Sequence, residues 1–183
     1  MITDYLAQLQ ELLPPPTSPR DSDDLALHQN EQTIGSSFPS DFLRYSTLYG
    51  SGRICVGPYS WEIWSGARTT YPAIVADFSR IWGELRDAIE TTHVPLGLFP
   101  EPGGLLPFGN RSDVWFTWKT VGQPDEWKIV VMWSYEEDSY QIFDMGFAEF
   151  LVTLLTRRIT AAGFLSEWEQ SDISFSQDVF YAP

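Results

Sequence analysis

The stretch Gly97–Trp133 constrains the fold more than any other part of the chain. It opens Gly97-Leu98-Phe99-Pro100-Glu101-Pro102-Gly103-Gly104-Leu105-Leu106-Pro107-Phe108-Gly109 and runs into a tryptophan-rich hairpin. Glycine and proline at this density punctuate turns. Two extended runs follow, Val114–Lys119 and Trp127–Trp133, joined by Val121-Gly122-Gln123-Pro124-Asp125-Glu126. Val114, Phe116 and Trp118 alternate with Trp115, so both faces of the hairpin are apolar. Such a sheet needs cover on one face and partial cover on the other. The stretch holds no cluster of catalytic side chains, which points to a scaffold that binds something.

The flanking sequence supplies the cover. Ile2, Leu6, Leu9 and Leu13 share one helical face, and that helix stops at Pro14-Pro15-Pro16. Residues 14–33 are polar, with Asp21, Asp23 and Asp24, and read as a mobile linker. A second helix opens at Phe38-Pro39-Ser40-Asp41-Phe42-Leu43, with Ser37 as the expected N-cap, Asp41 complementing the helix dipole and Gly50 as the stop. Residues 53–64 suit extended structure. Ile74, Phe78, Ile81, Leu85 and Ile89 predict a helix over about 70–90. Ser139–Phe143 reads as a further strand, reached through Glu136-Glu137-Asp138. A last helix is expected from an Asp144 N-cap, with Phe147, Phe150, Leu151, Leu154 and Ile159 inward, Arg157 and Arg158 at its C-terminal end and Gly163 as the stop. The tail keeps Phe164, Trp168, Phe175 and Phe180 and is expected to pack back. The pattern is α+β in one domain. It divides into an N-terminal helix and acidic Pro-rich linker (1–33), the domain proper (34–160) and an acidic C-terminal extension (161–183).

The 183 residues carry a formal charge of −14, distributed unevenly. Residues 1–33 hold six acids and one base, and residues 159–183 hold four acids and no base. A chain this acidic repels nucleic acid and anionic membrane and attracts cationic partners; acidity also serves solubility alone. The single cysteine, Cys55, excludes an internal disulfide and a zinc cluster and suits a reducing, cytoplasmic setting. Met1-Ile2-Thr3-Asp4 lacks the basic start of a signal peptide, and no apolar run approaches the roughly 20 residues of a membrane helix.

Candidate chemistry is sparse. His28 and His93 lack ligand-spaced neighbours, so neither a metal nor a catalytic role is expected. Gly50-Ser51-Gly52 lacks the lysine of a phosphate loop and reads as a turn. Asn110-Arg111-Ser112 fits a glycosylation sequon by chance, and Cys55 reads as a small buried hydrophobe. Trp115, Trp118, Trp127 and Trp133 fall at core spacing, whereas Trp61 and Trp64 flank a turn and are expected to be exposed. Asp125-Glu126 and Glu136-Glu137-Asp138 lie at ends of the same sheet. Solvated hairpin loops and a negative docking surface for a basic protein both account for them.

The order of these motifs resembles the SUKH superfamily, which unites fungal cell-wall synthesis regulators with bacterial immunity proteins of polymorphic toxin systems. The matching pieces are Phe38–Leu43 with Tyr49-Gly50, the helix near 70–90, Gly103–Gly109, Val114–Trp118 with Asp125–Val131, and Phe147–Leu155. Together they cover roughly residues 34–160. The usual Asn-Gly after the second helix is Tyr49-Gly50 here. The resemblance implies an α+β fold with a mixed or antiparallel sheet and flanking helices. It also implies binding of a protein toxin through divergent surfaces, with no catalytic residues and no cofactor. The expected partner is a cationic toxin domain. Asp125, Glu126, Glu136, Glu137 and Asp138 are the expected charge contribution, and Trp61 and Trp64 the expected aromatic anchors. A regulatory interaction module without a toxin is the alternative, and a glycan-active enzyme a distant third.

Overall fold

Alternation in the central hairpin decides how the two layers of the protein form. In the computed structural model, which describes residues 4–57, 59–88, 96–133, 139–161 and 173–177, strand β4 (Val114–Lys119) pairs antiparallel with β5 (Lys128–Met132). Phe116 faces Val131 and Trp118 faces Ile129 on one side; Trp115 faces Met132 and Thr117 faces Val130 on the other. Both sides are covered. The first belongs to the main core, and the second, with Leu105, meets Phe78, Trp82, Leu96 and Leu98. The buried Thr117 hydroxyl donates to the Val130 carbonyl at 3.0 Å, which satisfies its polar atom within the sheet.

The remaining strands are β1 (Gly52–Val56), β2 (Tyr59–Ile63), β3 (Leu105–Arg111), β6 (Tyr140–Phe143) and β7 (Ile173–Ser176). Among the described residues they form one seven-stranded sheet in the order β6-β5-β4-β3-β2-β1-β7, with every pair antiparallel. The register of β3 on β4 shifts between Pro107 and Gly109. Proline donates no ladder hydrogen bond, so a bulge there is its natural place. The Pro107 carbonyl instead accepts from the Tyr71 hydroxyl at 2.8 Å.

The helices are α1 (Tyr5–Leu12), α2 (Asp24–Ile34), α3 (Ser40–Tyr49), α4 (Tyr71–Ala88) and α5 (Phe147–Leu155). Helix α4 supplies Phe78 and Trp82 to the smaller core. Helices α1, α3 and α5 pack into the main one, where Phe42 meets Trp118 and Phe147 edge-to-face at 4.7 and 5.0 Å. The α+β single domain expected from the sequence is the architecture found.

Several local expectations need correction. Residues 24–33 of the expected linker belong to α2. The Asp23 carboxylate accepts from the Ala26 amide at 2.8 Å, and Gly35 ends the helix at φ 74°. Only Leu27 among its apolar residues is fully buried, beside a buried Asn30 whose amide donates to the carbonyls of Gly66 and Arg68, both at 2.7 Å. Helix α3 is preceded by Pro39, not capped by Ser37. Helix α5 has Gly146 as N-cap, and Asp144, two residues earlier, pairs with Lys128 at 2.8 Å. It ends at Leu155, so Ile159 packs from beyond it. The expected Gly163 stop and the aromatics Phe164, Trp168 and Phe180 lie outside the described residues, whereas Phe175 sits in β7.

Candidate functional site

The loop between β4 and β5 is a built structure. Gly122 turns the chain at φ 81°, and Pro124–Glu126 forms a single 3-10 turn closed by a reciprocal cap between Gln123 and Glu126. The Glu126 carboxylate accepts from the Gln123 amide at 2.8 Å. The Asp125 carboxylate reaches across to α3 and accepts from the Ser40 amide at 2.6 Å. That amide belongs to the first turn of a helix preceded by proline, so Asp125 satisfies a donor that α3 leaves open. Both acids remain exposed while held by these bonds.

The next residue of α3 repeats the pattern. The Ala148 amide, in the first turn of α5, donates to the Asp41 carboxylate at 2.8 Å. Asp41 is largely buried, and burial, reinforced by the nearby Asp125 charge, raises its carboxyl above the ordinary range despite its hydrogen bonds. Beside it lies a cavity of about 440 Å³ between α1, α3 and α5, with Asp4, Tyr5, Asp41, Arg44 and Glu149 on its walls. Arg44 lies 3.7 Å from Asp4. The Tyr5 hydroxyl is tied to the Glu149 carboxylate, which holds the phenol above its usual range. Asp4, Asp41 and Glu149 thus share one cavity with Asp125 beside Asp41 and Glu126 next in the chain, while the cations Arg44 and Arg158 stand among them and the Lys128–Asp144 pair lies beside β5.

Among the described residues, two of the expected site residues fall in this acidic region. Asp125 and Glu126 are there; Glu136, Glu137 and Asp138 lie outside the described residues. Trp61 and Trp64, expected as exposed anchors, are 2% and 3% exposed. Trp61 shares its face of β2 with Ile63 and points into the main core. Trp64 packs on Trp115 at a ring distance of 5.7 Å and donates its indole N–H to Glu62 at 3.3 Å. Neither presents a surface anchor. Asp4, Asp41 and Glu149 were not singled out by the sequence as site residues: Asp41 was legible as a first-turn acid, but its neighbours come from α1 and α5, far away in the chain.

The minor candidates also find their places. Ser51 of Gly50-Ser51-Gly52 is buried, and its hydroxyl accepts from the Ser65 amide at 3.0 Å, a turn function. Cys55 is half-buried, not fully buried as expected, on the polar face of β1 opposite Ser60 and Ser174. His28 stands on α2 beside Glu31 at 3.1 Å, and His93 lies outside the described residues. Among the described residues no three His, Cys, Asp or Glu side chains come together to hold a metal ion. No described helix is long and apolar enough to cross a membrane.

A comparison with curated proteins finds no match to this chain. The family model SUKH_6, described as SMI1-KNR4 cell-wall, matches residues 24–151, well over half of the chain. The match starts at the first residue of α2 and ends inside α5, so it takes in the helix expected to be linker and leaves α1 and β7 outside. With its α+β fold and this match, the chain belongs to the SUKH superfamily.

Proposed function

We propose that this chain is an immunity protein that binds a cationic protein toxin in the cytoplasm and neutralises it by occlusion. The observation that carries this reading is the fixed acidic end of the molecule, where Asp125 is bonded to Ser40 and stands beside Asp41. Carboxylates held in place by backbone donors lose little further freedom on meeting a partner. A formal charge of −14 adds long-range attraction for a basic surface and speeds encounter. Glu136, Glu137 and Asp138 add to the negative charge in the sequence that follows β5.

Co-expression with the toxin domain encoded beside the gene tests the proposal. Protection of the cells together with a co-eluting complex on gel filtration is the expected result. Unprotected cells and separate elution would sink it.

The description carried by the matching family, SMI1-KNR4 cell-wall, supports a second reading as a regulatory interaction module. A stable complex with a housekeeping protein, and no toxin gene alongside, would favour that reading.

A further inference from the structure

Two segments outside the family match meet on the same short stretch of chain. From the N-terminal side, Arg20 forms a bridge with Gly50, and its carbonyl accepts from the Ser51 amide at 3.0 Å. From the C-terminal side, β7 pairs along the edge of β1, with Arg53 opposite Ser176, Ile54 opposite Phe175, Cys55 opposite Ser174 and Val56 opposite Ile173. The Phe175 ring stands edge-to-face on Tyr49 at 5.4 Å and lies over Gly52, where any Cβ would overlap it. Tyr49 through Gly52 therefore seats one segment on each side.

The two segments are also bonded to each other. The Arg20 guanidinium donates to the Gln177 carbonyl at 3.4 Å. With its amide oriented to suit both neighbours, the Gln177 side chain donates to the Ser18 carbonyl at 3.0 Å and accepts from the Arg20 amide at 2.7 Å. Asp21, next in the chain, holds a left-handed φ of 53°, a conformation that its surroundings must maintain. Strand β7 has only four residues, none fully buried, and among named strands it pairs with β1 alone. A strand so short gains little from one ladder; it is held besides by Ile173 and Phe175, which pack against the main core, and by its bonds to residues 18–20.

We propose that residues 18–20 and 173–177 form a two-part clasp that opens and closes as one unit over the β1 edge. Each half supplies hydrogen-bond partners to the other, so release of one returns the other's polar groups to water and removes its neighbour. The consequence is a conformational device at the sheet edge. While the clasp is closed, β1 is paired on both sides; once it opens, β1 becomes an unpaired sheet edge.

Amide hydrogen exchange of the full chain tests the coupling. The Ser51 amide reports the N-terminal half, the β1 amides that face β7 report the C-terminal half, and the Trp118 and Ile129 amides in mid-sheet report global opening. In Gln177→Ala, which alters only the junction, exchange at Ser51 and at β1 should rise together by about tenfold, the mid-sheet amides holding their rates. In Phe175→Ala, which removes the ring from Tyr49 and Gly52 but no hydrogen bond to residues 18–20, Ser51 should follow β1. Faster exchange at β1 with an unchanged Ser51 in Phe175→Ala would overturn the proposal, as would a Gln177→Ala protein in which neither site moves. Should Phe175→Ala also lose mid-sheet protection, the Gln177→Ala result decides alone.

Discussion

The Ala148 amide donates to the Asp41 carboxylate at 2.8 Å, so the first turn of α3 caps the first turn of α5 across 107 residues of sequence. The bond favours an ionised Asp41, but burial and the neighbouring Asp125 oppose it and leave the carboxyl above its ordinary range. The sign of the pH effect follows. A carboxyl raised in the folded state stabilises the fold below its unfolded value, and that contribution is lost as pH rises through the folded value. Asp41→Asn keeps an acceptor for Ala148 and removes the titration. Its stability relative to the parent should therefore increase as pH rises from about 4 toward neutrality. Urea unfolding across that range checks this, and a difference that stays flat would show that Asp41 does not titrate as its surroundings dictate.

Asp125 has two separable roles. As the acceptor for the Ser40 amide it caps α3 from another element, and as an exposed charge it faces solvent. Asp125→Ala removes both and should cost about 0.5–2 kcal/mol, the usual worth of a helix cap. Asp125→Asn keeps the acceptor, so its unfolding midpoint should stay near the parent's. If the acidic end docks a basic toxin, Asp125→Asn combined with Glu126→Gln should slow association several-fold and flatten its salt dependence. Stopped-flow mixing at two ionic strengths reads this directly, and an unchanged salt slope would move the docking surface elsewhere.

The architecture was legible wherever hydrophobic period was strong. Alternation over Val114–Trp118 announced a sheet buried on both faces, and Ile74 through Leu85 announced the helix that covers one of them, although its buried stripe runs through Val75, Phe78 and Trp82 and leaves Ile81 exposed. Helix α2 escaped because its inner face rests on Leu27 and a polar Asn30, so no apolar stripe marks it. Its boundary signals, Asp23 at one end and Gly35 at the other, were present in the sequence and outweighed by the polar composition. Trp61 was misplaced for a different reason. Proximity to a turn suggested exposure, whereas its spacing from Ile63 puts both on one face of a two-residue repeat. The acidic site was the least legible part, since Asp4, Asp41, Asp125 and Glu149 come from four separate elements that only the fold brings together.

The burial of Trp61 separates stability from binding. Its ring is 2% exposed and lies in the main core. Trp61→Ala should destabilise the protein by about 3–5 kcal/mol, the usual cost of emptying a large aromatic site. A surface anchor would show the opposite pattern, with partner affinity lost and the unfolding midpoint retained. Chemical denaturation of the purified variant distinguishes the two, and a loss below about 1 kcal/mol would contradict the core assignment.

Gly50 and Gly35 form a pair that differs both in backbone conformation and in surrounding space. Both end helices at positive φ, 66° and 74° respectively, but Gly35 is left-handed helical at ψ 26°, whereas Gly50, at ψ −154°, lies in a region that essentially glycine alone adopts. At Gly35 a Cβ meets nothing within 4 Å, so Gly35→Ala carries only the left-handed penalty, about 1 kcal/mol. At Gly50 a Cβ would overlap the Arg20 carbonyl, the same oxygen that accepts from the Ser51 amide. Gly50→Ala must therefore displace the segment around Arg20 as well as strain the backbone, and should cost upwards of about 2 kcal/mol. Urea midpoints of the two variants side by side test this ordering. Equal losses would mean that neither the approach of Arg20 nor the glycine-only backbone of Gly50 adds anything to the left-handed penalty paid at Gly35.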